Sequence, residues 1–149
     1  MIHGPATSNY DEDLGILVIT DWSHETAVQL YPEVLAITFS IQDNGLINGT
    51  NTWQDKGTRW EASFQAGKKY LLRIVNVSVD HHFKFSIDGH TLTVIAADFV
   101  PIKPFTTKIL NVGIGKLSFV RLTMFDSHAN DSLNSATLRC DCQCRCTPR

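Results

Sequence analysis

The sequence predicts an all-β domain of the sandwich or barrel type. Short runs of β-branched and aromatic residues recur along the chain, and turn residues separate them at the even spacing typical of such folds. Patterns with a helical period are scarce by comparison. With 149 residues, 43% of them hydrophobic, the chain is long enough for one domain with a substantial core.

The first predicted elements are a strand and a helix. A continuous apolar run at 15–21 is typical of a buried strand. A short helix is expected over about residues 24–35, with Ser23 or Asp21 as its N-cap and Glu25 in its first turn.

The following elements are short strands separated by turns. Asp-Asn-Gly at 43–45 predicts a turn, and the polar, glycine-containing stretch 48–58 predicts a loop. Runs of apolar and β-branched residues predict strands at 45–47, 60–64, 69–75, 83–87, 92–96 and 108–114.

Two of these strands are predicted to form a β-hairpin. Apolar and polar residues alternate over 83–87 and again over 92–96, which is the period of a half-buried strand. Asp-Gly at 88–89 supplies the residues of a two-residue turn, because glycine adopts positive φ without a steric clash.

Several ordered motifs resemble the second cupredoxin domain of fungal laccases, which are multicopper oxidases with three such domains. The motifs are Asp-Trp-Ser-His at 21–24, Asn-Gly-Leu-Ile-Asn-Gly-Thr at 44–50, Gly-Lys-Lys-Tyr-Leu-Leu-Arg-Ile-Val-Asn at 67–76 and Phe-Ser-Ile-Asp-Gly-His-Thr-Leu-Thr-Val-Ile-Ala-Ala-Asp at 85–98. The resemblance implies that residues 1–115 form a cupredoxin-like Greek-key β-sandwich, incomplete at its C-terminal end.

The resemblance also implies a function. The parent protein would be a laccase-like multicopper oxidase that oxidises phenols with copper and reduces dioxygen to water. Its copper ligands would come from His-X-His pairs on the first and third domains. This chain has six histidines, none in such a pair, and a structural role is preferred for each: His3, His24, His81, His82, His90 and His128. The chain is therefore expected to bind no copper and to be inactive without the other two cupredoxin domains.

The second domain of the family forms part of the pocket for phenolic substrates. By resemblance, Asp21, His82 and Phe83 are expected to bind substrate, and Glu25 is the second acidic candidate. The Asp21 carboxylate could accept the proton that a phenol loses on oxidation, and a cap on the following turn explains this residue equally well. An aromatic ring at Phe83 could pack on the phenol, although its place in an alternating strand favours core packing.

Residues 116–149 are predicted to be a divergent, disordered tail foreign to the domain, although residues 117–124 could form one strand. The tail contains all four cysteines of the chain: Cys140, Cys142, Cys144 and Cys146. Thiolates bind zinc or copper(I), but alternate residues of an extended chain hold their Cβ atoms about 7 Å apart. A single tetrahedral site would require the chain to fold back, so a disordered tail without metal is preferred.

Charge and composition limit the partners and the compartment. With 13 basic and 15 acidic residues the net charge is −2, so neither nucleic acid nor an anionic membrane is an expected partner. The N-terminus lacks the features of a secretory signal, whereas the family is secreted, so a secreted parent is expected and the location of this chain stays open. Glycosylation sequons begin at Asn48, Asn76 and Asn130, and the first two are candidate acceptors.

The competing interpretation is a non-enzymatic β-sandwich that serves as a binding or structural module. In a variant of it, the cysteine tail binds a metal ion through its thiolates. Stoichiometric copper with blue absorption would contradict both this interpretation and the expected absence of copper ligands. Binding of cuprous ion that disappears when the four cysteines are removed would favour the interpretation in which the tail binds a metal ion.

Overall fold

The computed structural model describes residues 9–37, 42–87 and 89–123. These ranges are built mainly from strands, so the all-β prediction and the cupredoxin-like sandwich are confirmed. The elements are β1 (Glu12–Trp22), α1 (Ala27–Ile37), β2 (Asn44–Ile47), β3 (Thr52–Trp53), β4 (Lys56–Gly57), β5 (Lys69–Asn76), β6 (Phe83–Phe85), β7 (Leu92–Ala97), β8 (Val100–Thr107), β9 (Leu110–Val112) and β10 (Leu117–Thr123).

The main sheet has six strands in the order β2-β1-β5-β10-β7-β8. β1 and β5 run parallel, and the other neighbours in this sheet are antiparallel. β6 pairs with β9 in a second, two-stranded sheet, and β3 pairs with β4 in a short hairpin. Because parallel strands end at the same edge of a sheet, the carboxyl ends of β1 and β5 lie side by side.

The core is formed by side chains of the main sheet that pack against β6 and β9. Successive residues of a strand point to opposite faces, so alternate apolar residues enter this core. Its fully buried members include Leu17, Ile19, Leu72, Ile74, Phe83, Phe85, Leu92, Val112, Val120 and Leu122. A smaller cluster covers the opposite face of the main sheet and consists of Leu71, Ile95, Ala96 and Phe119.

The predicted hairpin is wrong in its pairing, although its turn is present. The amide of His90 donates to the carbonyl of Ile87 at 3.1 Å, and Gly89 has φ of 72°. However, β6 pairs with β9, and β7 pairs with β8 and β10, so the turn connects two sheets. Apolar alternation determines which face of a strand is buried, but it leaves the identity of the neighbouring strand open.

The prediction that the domain ends after residue 115 is wrong, because β10 lies beyond that residue and belongs to the main sheet. This strand lies between β5 and β7 inside the main sheet, and its residues Val120 and Leu122 are 0% exposed. The strand expected over 117–124 is confirmed over 117–123, and it continues the domain instead of beginning a tail. Residues 124–149, which include the four cysteines, lie outside the described residues.

Two other local predictions differ from the structure. Residues 60–64 form no strand, although Phe64 is buried and its ring meets the Tyr70 ring edge-on at 5.1 Å. β8 was not predicted because Pro101 and Pro104 cannot donate hydrogen bonds to a neighbouring strand. Within the part of the chain that the structure describes, β8 is an edge strand whose one partner is β7, and proline is tolerated at such an edge.

The helix prediction is correct in kind, but its cap is different. α1 begins after Thr26, whose amide and hydroxyl both donate to the Oε1 atom of Gln29, at 2.8 and 2.7 Å. The bond from the Thr26 amide to the Gln29 side chain is one half of a capping box, so the observed N-cap is Thr26 and neither Ser23 nor Asp21. No helix among the described residues is long and apolar enough to cross a bilayer.

Candidate functional site

A cleft of about 610 Å³ opens where the carboxyl end of β1 meets the β3–β4 hairpin. We call it the aromatic cleft, because three of its lining residues present aromatic rings. Its lining residues come from β1, from β2, from the β3–β4 hairpin and the residues beside these elements, and from Val79 in the loop between β5 and β6. Its walls include Asp21, Trp22, His24, Asn51, Trp53 and Val79.

The rings of the aromatic cleft lie partly open to solvent. The His24 ring stacks on the Trp53 ring, with centroids 4.5 Å apart and planes 29° apart. Trp22 is 50% exposed and Trp53 is 37% exposed. The backbone of His24 is fixed, because its amide donates to the Asp43 carboxylate at 2.8 Å. These partly exposed indoles provide flat apolar surface on which an aromatic ligand can pack.

Amide side chains hold the hairpin side of the aromatic cleft in place. Asn51 donates through Nδ2 to the Asn44 side-chain oxygen at 2.8 Å and to the Gly45 carbonyl at 2.6 Å. Asn44 in turn donates to the Thr52 carbonyl at 3.1 Å. Their hydrogen bonds tie the hairpin to β2, so these amides determine where the Trp53 ring lies.

The Asp21 carboxylate accepts hydrogen bonds from the β5–β6 loop (residues 77–82). Its Oδ1 atom accepts from the amide of Val79 at 3.0 Å. Its Oδ2 atom accepts from the amides of Asp80 at 2.9 Å and His81 at 3.3 Å, and the His81 ring Nδ1 lies 3.3 Å from the same oxygen. The Asp21 amide donates to the Ser78 hydroxyl at 3.2 Å. Asp21 therefore joins the end of β1 to the loop that follows β5.

These contacts decide the ionisation of Asp21. Burial by itself raises the pKa of this carboxyl, since desolvation disfavours the charged form. The hydrogen bonds from Asp80 and Val79, and then those from His81, outweigh burial and lower the pKa below its usual value. Asp21 is therefore ionised at neutral pH, and it is a weaker proton acceptor than an ordinary aspartate.

The structure places the predicted substrate-binding residues in three different environments. Asp21 lines the aromatic cleft, while its oxygens accept hydrogen bonds from the β5–β6 loop. His82 is exposed outside the lining of this cleft, and Phe83 is 2% exposed within the core. Glu25 is exposed before α1 and is likewise not in the lining. Contact of these residues with substrate stays a prediction.

The hairpin wall of the aromatic cleft is not predicted by the sequence. Trp53 and Asn51 fall within 48–58, which was predicted as a loop and instead includes β3 and β4. A tryptophan in an otherwise polar stretch was the available signal, because large aromatic residues are seldom left without a packing or binding role. Asn51 carried no such signal, since its role depends on its contact with β2.

The described residues do not fit a copper centre. Within residues 9–37, 42–87 and 89–123, no group of three or more His, Cys, Asp or Glu side chains could hold a metal ion. The His81 ring faces the Asp21 carboxylate, and the His24 ring is stacked on Trp53. No redox step is assigned to these residues. The thiolate alternative involves Cys140, Cys142, Cys144 and Cys146, which lie outside the described ranges.

The two candidate glycosylation sites differ in accessibility. Asn48 is exposed in the turn after β2 and stays a candidate acceptor. Asn76 is 0% exposed, and its Nδ2 atom donates to the carbonyls of His81 and Val112, each at 2.9 Å. A glycan on this nitrogen would break both bonds and require buried space, so the folded structure contradicts the prediction for Asn76.

Comparison with known proteins gives consistent matches. The model of a family described as multicopper oxidase matches residues 13–134. Laccase-1 of Botryotinia fuckeliana is 40% identical over 147 residues, which make up 99% of this chain and 25% of that protein. Dihydrogeodin oxidase of Aspergillus terreus is 42% identical over 127 residues, which make up 78% of this chain and 21% of that protein.

A solved structure agrees with these matches. The crystal structure of the laccase from Botrytis aclada superposes with a TM-score of 0.79 at 41% identity, covering 85% of this chain and 25% of that chain. The chain thus spans between 21% and 25% of the length of these three relatives.

Proposed function

This chain belongs to the multicopper oxidase family, and from that premise we propose that it is the second cupredoxin domain of a laccase-like oxidase. The main support for this proposal is that both the sequence and the fold match a laccase. The match has 41% identity and a TM-score of 0.79, and it covers 25% of the laccase chain. The parent protein would oxidise phenols with copper and reduce dioxygen to water. The other two cupredoxin domains would hold the copper ions, which supply the one-electron oxidation.

The contribution of this chain would be one wall of the substrate pocket. The exposed rings of Trp22 and Trp53 suit the face of a phenol, because offset aromatic packing is favourable beyond the apolar area that it buries. The His24–Trp53 stack lies in the same wall and limits how a ring can enter. The role of this chain is therefore to bind and orient the phenol ring, without an oxidation step of its own.

The parent protein is proposed to be secreted, in keeping with the laccase resemblance. The exposed sequon at Asn48 supports this proposal, since such a turn is accessible to the glycosylation machinery. Treatment of natively expressed protein with a glycosidase tests it. A loss of mass that is absent from Asn48→Gln is expected, and a mass unchanged by the glycosidase would contradict the proposal.

Binding of guaiacol, a simple methoxyphenol, tests the function in the full chain. Saturable quenching of tryptophan fluorescence is expected, and cyclohexanol, which lacks an aromatic face, should produce much less quenching. After incubation with copper, the chain should consume no oxygen with guaiacol. Rapid oxygen consumption would contradict the assignment of the copper ions to other domains, and equal quenching by both compounds would contradict an aromatic site.

Sequencing the full-length transcript tests the domain assignment directly. A message that encodes His-X-His pairs both before and after this stretch is expected. A message without them would overturn the assignment. Such a result, together with cuprous binding that is lost when the four cysteines are replaced by serine, would favour the non-enzymatic module.

A further inference from the structure

We propose that Asp21 is a positioning residue, which holds the β5–β6 loop so that Val79 lines the aromatic cleft. The inference rests on the proposed function of this cleft, and it names the residue that holds this part of its lining in place. The carboxylate acts on a ligand through the loop backbone instead of through a bond to the ligand itself. Two properties of the loop support this role: residues 78–82 pair with no strand among the described residues, and Val79 is exposed.

The course of the chain explains why the loop needs an anchor. β1 and β5 are parallel, and their pairing ends where Ile19 faces Asn76. The amide of Val77 still donates to the Ile19 carbonyl at 2.9 Å. Beyond this point the Ser78 amide donates to the Asn76 side chain, and the next three amides, those of Val79, Asp80 and His81, donate to the Asp21 carboxylate. A carboxylate at this place substitutes for the strand partner that the loop has lost.

The loop already uses most of the accepting capacity of the carboxylate. A carboxylate accepts about four hydrogen bonds. The Oδ2 atom accepts from the amides of Asp80 and His81 and lies 3.3 Å from the His81 ring Nδ1, and the Oδ1 atom accepts from the amide of Val79. A phenol hydroxyl at Oδ2 would displace one of these donors and loosen the loop. The contacts that are present therefore favour positioning of the loop as the role of this carboxylate.

The opposite side of the loop is held by Asn76. Its Nδ2 atom binds the carbonyls of His81 and Val112, and its Oδ1 atom accepts from the amide of Ser78 at 2.9 Å. The backbone is thus fixed from two sides, while the Val79 side chain stays 87% exposed and contacts the cleft. A fixed backbone that presents an exposed side chain is the arrangement expected of a pre-organised binding wall.

Asp21→Asn tests the proposal, because the amide nitrogen of asparagine would face backbone donors. Guaiacol affinity in the full chain is expected to fall about tenfold, the change that corresponds to losing one buried charge-assisted hydrogen bond. Hydrogen exchange at the amides of Val79, Asp80 and His81 is expected to become faster. Asp21→Glu, which keeps the charge, should recover part of both properties.

Asp13→Asn is the matched control. Asp13 also lies on β1 and forms a partly buried ion pair with Arg73, but it is not in the lining of the aromatic cleft. It should lower stability without changing guaiacol affinity or exchange in the loop. A folded Asp21→Asn protein with unchanged affinity and unchanged loop exchange would overturn the proposal, as would an equal loss of affinity in the control.

Two further outcomes separate the proposal from the proposed function. If the wild-type chain does not bind guaiacol, the proposed phenol-binding role is wrong. The rate of hydrogen exchange at the loop amides then tests the positioning role without a ligand. Faster exchange in Asp21→Asn would then support that role, and unchanged exchange would overturn it. If Asp21→Asn does not fold, Asp21→Glu replaces it in the same measurements, since one added methylene shifts the carboxylate against the loop.

Discussion

The Asp21 carboxylate is buried, yet it is a stronger acid than a free aspartic acid. Burial raises its pKa, and convergent donors from the β5–β6 loop lower the pKa by more. Asp98 provides the contrast, because the Leu117 amide and the Lys116 ammonium also lower its pKa while it lies on the surface. Exposed ion pairs of this kind contribute little to stability, so of these two carboxylates Asp21 contributes more to the stability of the fold.

Acidification is therefore expected to weaken the fold through Asp21. The folded-state pKa lies below the unfolded-state value, so the unfolded chain binds more protons between the two. The stabilisation is complete above the unfolded-state pKa and is lost as pH falls through the folded-state pKa. Urea unfolding of wild type and Asp21→Asn at several pH values measures it. The difference between the two proteins in the free energy of unfolding should be constant near neutral pH and become smaller in acid. A difference that stays the same at every pH would contradict this account.

Trp53 is expected to supply most of the aromatic contact for a phenol. Replacing Trp53 with Ala removes the ring that stacks with His24, and guaiacol affinity should fall by about 0.5–1.5 kcal/mol beyond the loss of apolar area. Isothermal titration calorimetry measures this without relying on tryptophan fluorescence. Trp60→Phe is the control, because Trp60 packs against the core and is outside the cleft lining. Equal losses in both variants would contradict a specific role for Trp53.

Among the elements, the β3–β4 hairpin depends on one glycine. Gly57 has φ of +88°, and a Cβ atom there would lie 2.5 Å from the backbone oxygen of Asn51. Because the close atom belongs to the backbone, the hairpin itself would have to move. Trp53 pairs with Lys56, next to this glycine, so the movement would reach the wall of the aromatic cleft.

Gly57→Ala is expected to lower both stability and guaiacol affinity. The left-handed conformation alone costs a non-glycine residue about 1–2 kcal/mol, and the backbone clash adds to it. Gly67→Ala is a matched control, because Gly67 has φ of +79° with nothing within 4 Å of the added carbon and is not in the lining of the aromatic cleft. Urea unfolding and calorimetric titration compare the two variants. Equal effects would show that conformational strain, and not the clash, accounts for the change.

The edge strand β8 has features that hinder its pairing with another chain. β8 is exposed along most of its length, and its two prolines and Lys103 interrupt the row of backbone donors and add charge at this edge. Such residues discourage pairing with another chain. Phe99 and Val100 nevertheless remain 67% and 61% exposed, so apolar surface is left open at the start of this strand.

At the scale of the whole molecule, β10 determines where the domain ends. It pairs with β5 on one side and β7 on the other, so without it the main sheet would divide into two parts. The family match to residues 13–134 extends past the boundary that was predicted after residue 115. Residues on both sides of that boundary therefore belong to one cooperative unit.

Leu122→Ala tests whether β10 is part of this unit. Leu122 is 0% exposed, and truncating such a side chain to alanine costs about 2–5 kcal/mol through lost transfer energy and a residual cavity. Val100→Ala, at an exposed position on the edge strand, should change the free energy of unfolding by less than about 0.5 kcal/mol. Urea unfolding monitored by circular dichroism provides both values. A Leu122→Ala protein as stable as Val100→Ala would contradict the central position of β10.

Local sequence patterns are enough to predict the all-β class, most of the strands and the presence of one helix. These follow from local information, because alternation with period two and the spacing of turn residues show which side chains are buried. The residues of the motifs show in addition the resemblance to laccases, and the family matches agree with this resemblance.

The strand partners of β6 and β7, the central place of β10 and the contacts of Asp21 become visible in the folded chain and not in the sequence. Strand pairing depends on residues far apart in the chain, and alternation is the same for a hairpin and for a connection between sheets. Asp21 and Val79 are held together by folding alone, since parallel pairing of β1 with β5 brings both to one edge of the sheet. A local pattern cannot specify such a contact, because its energy comes from groups that meet only in the folded chain.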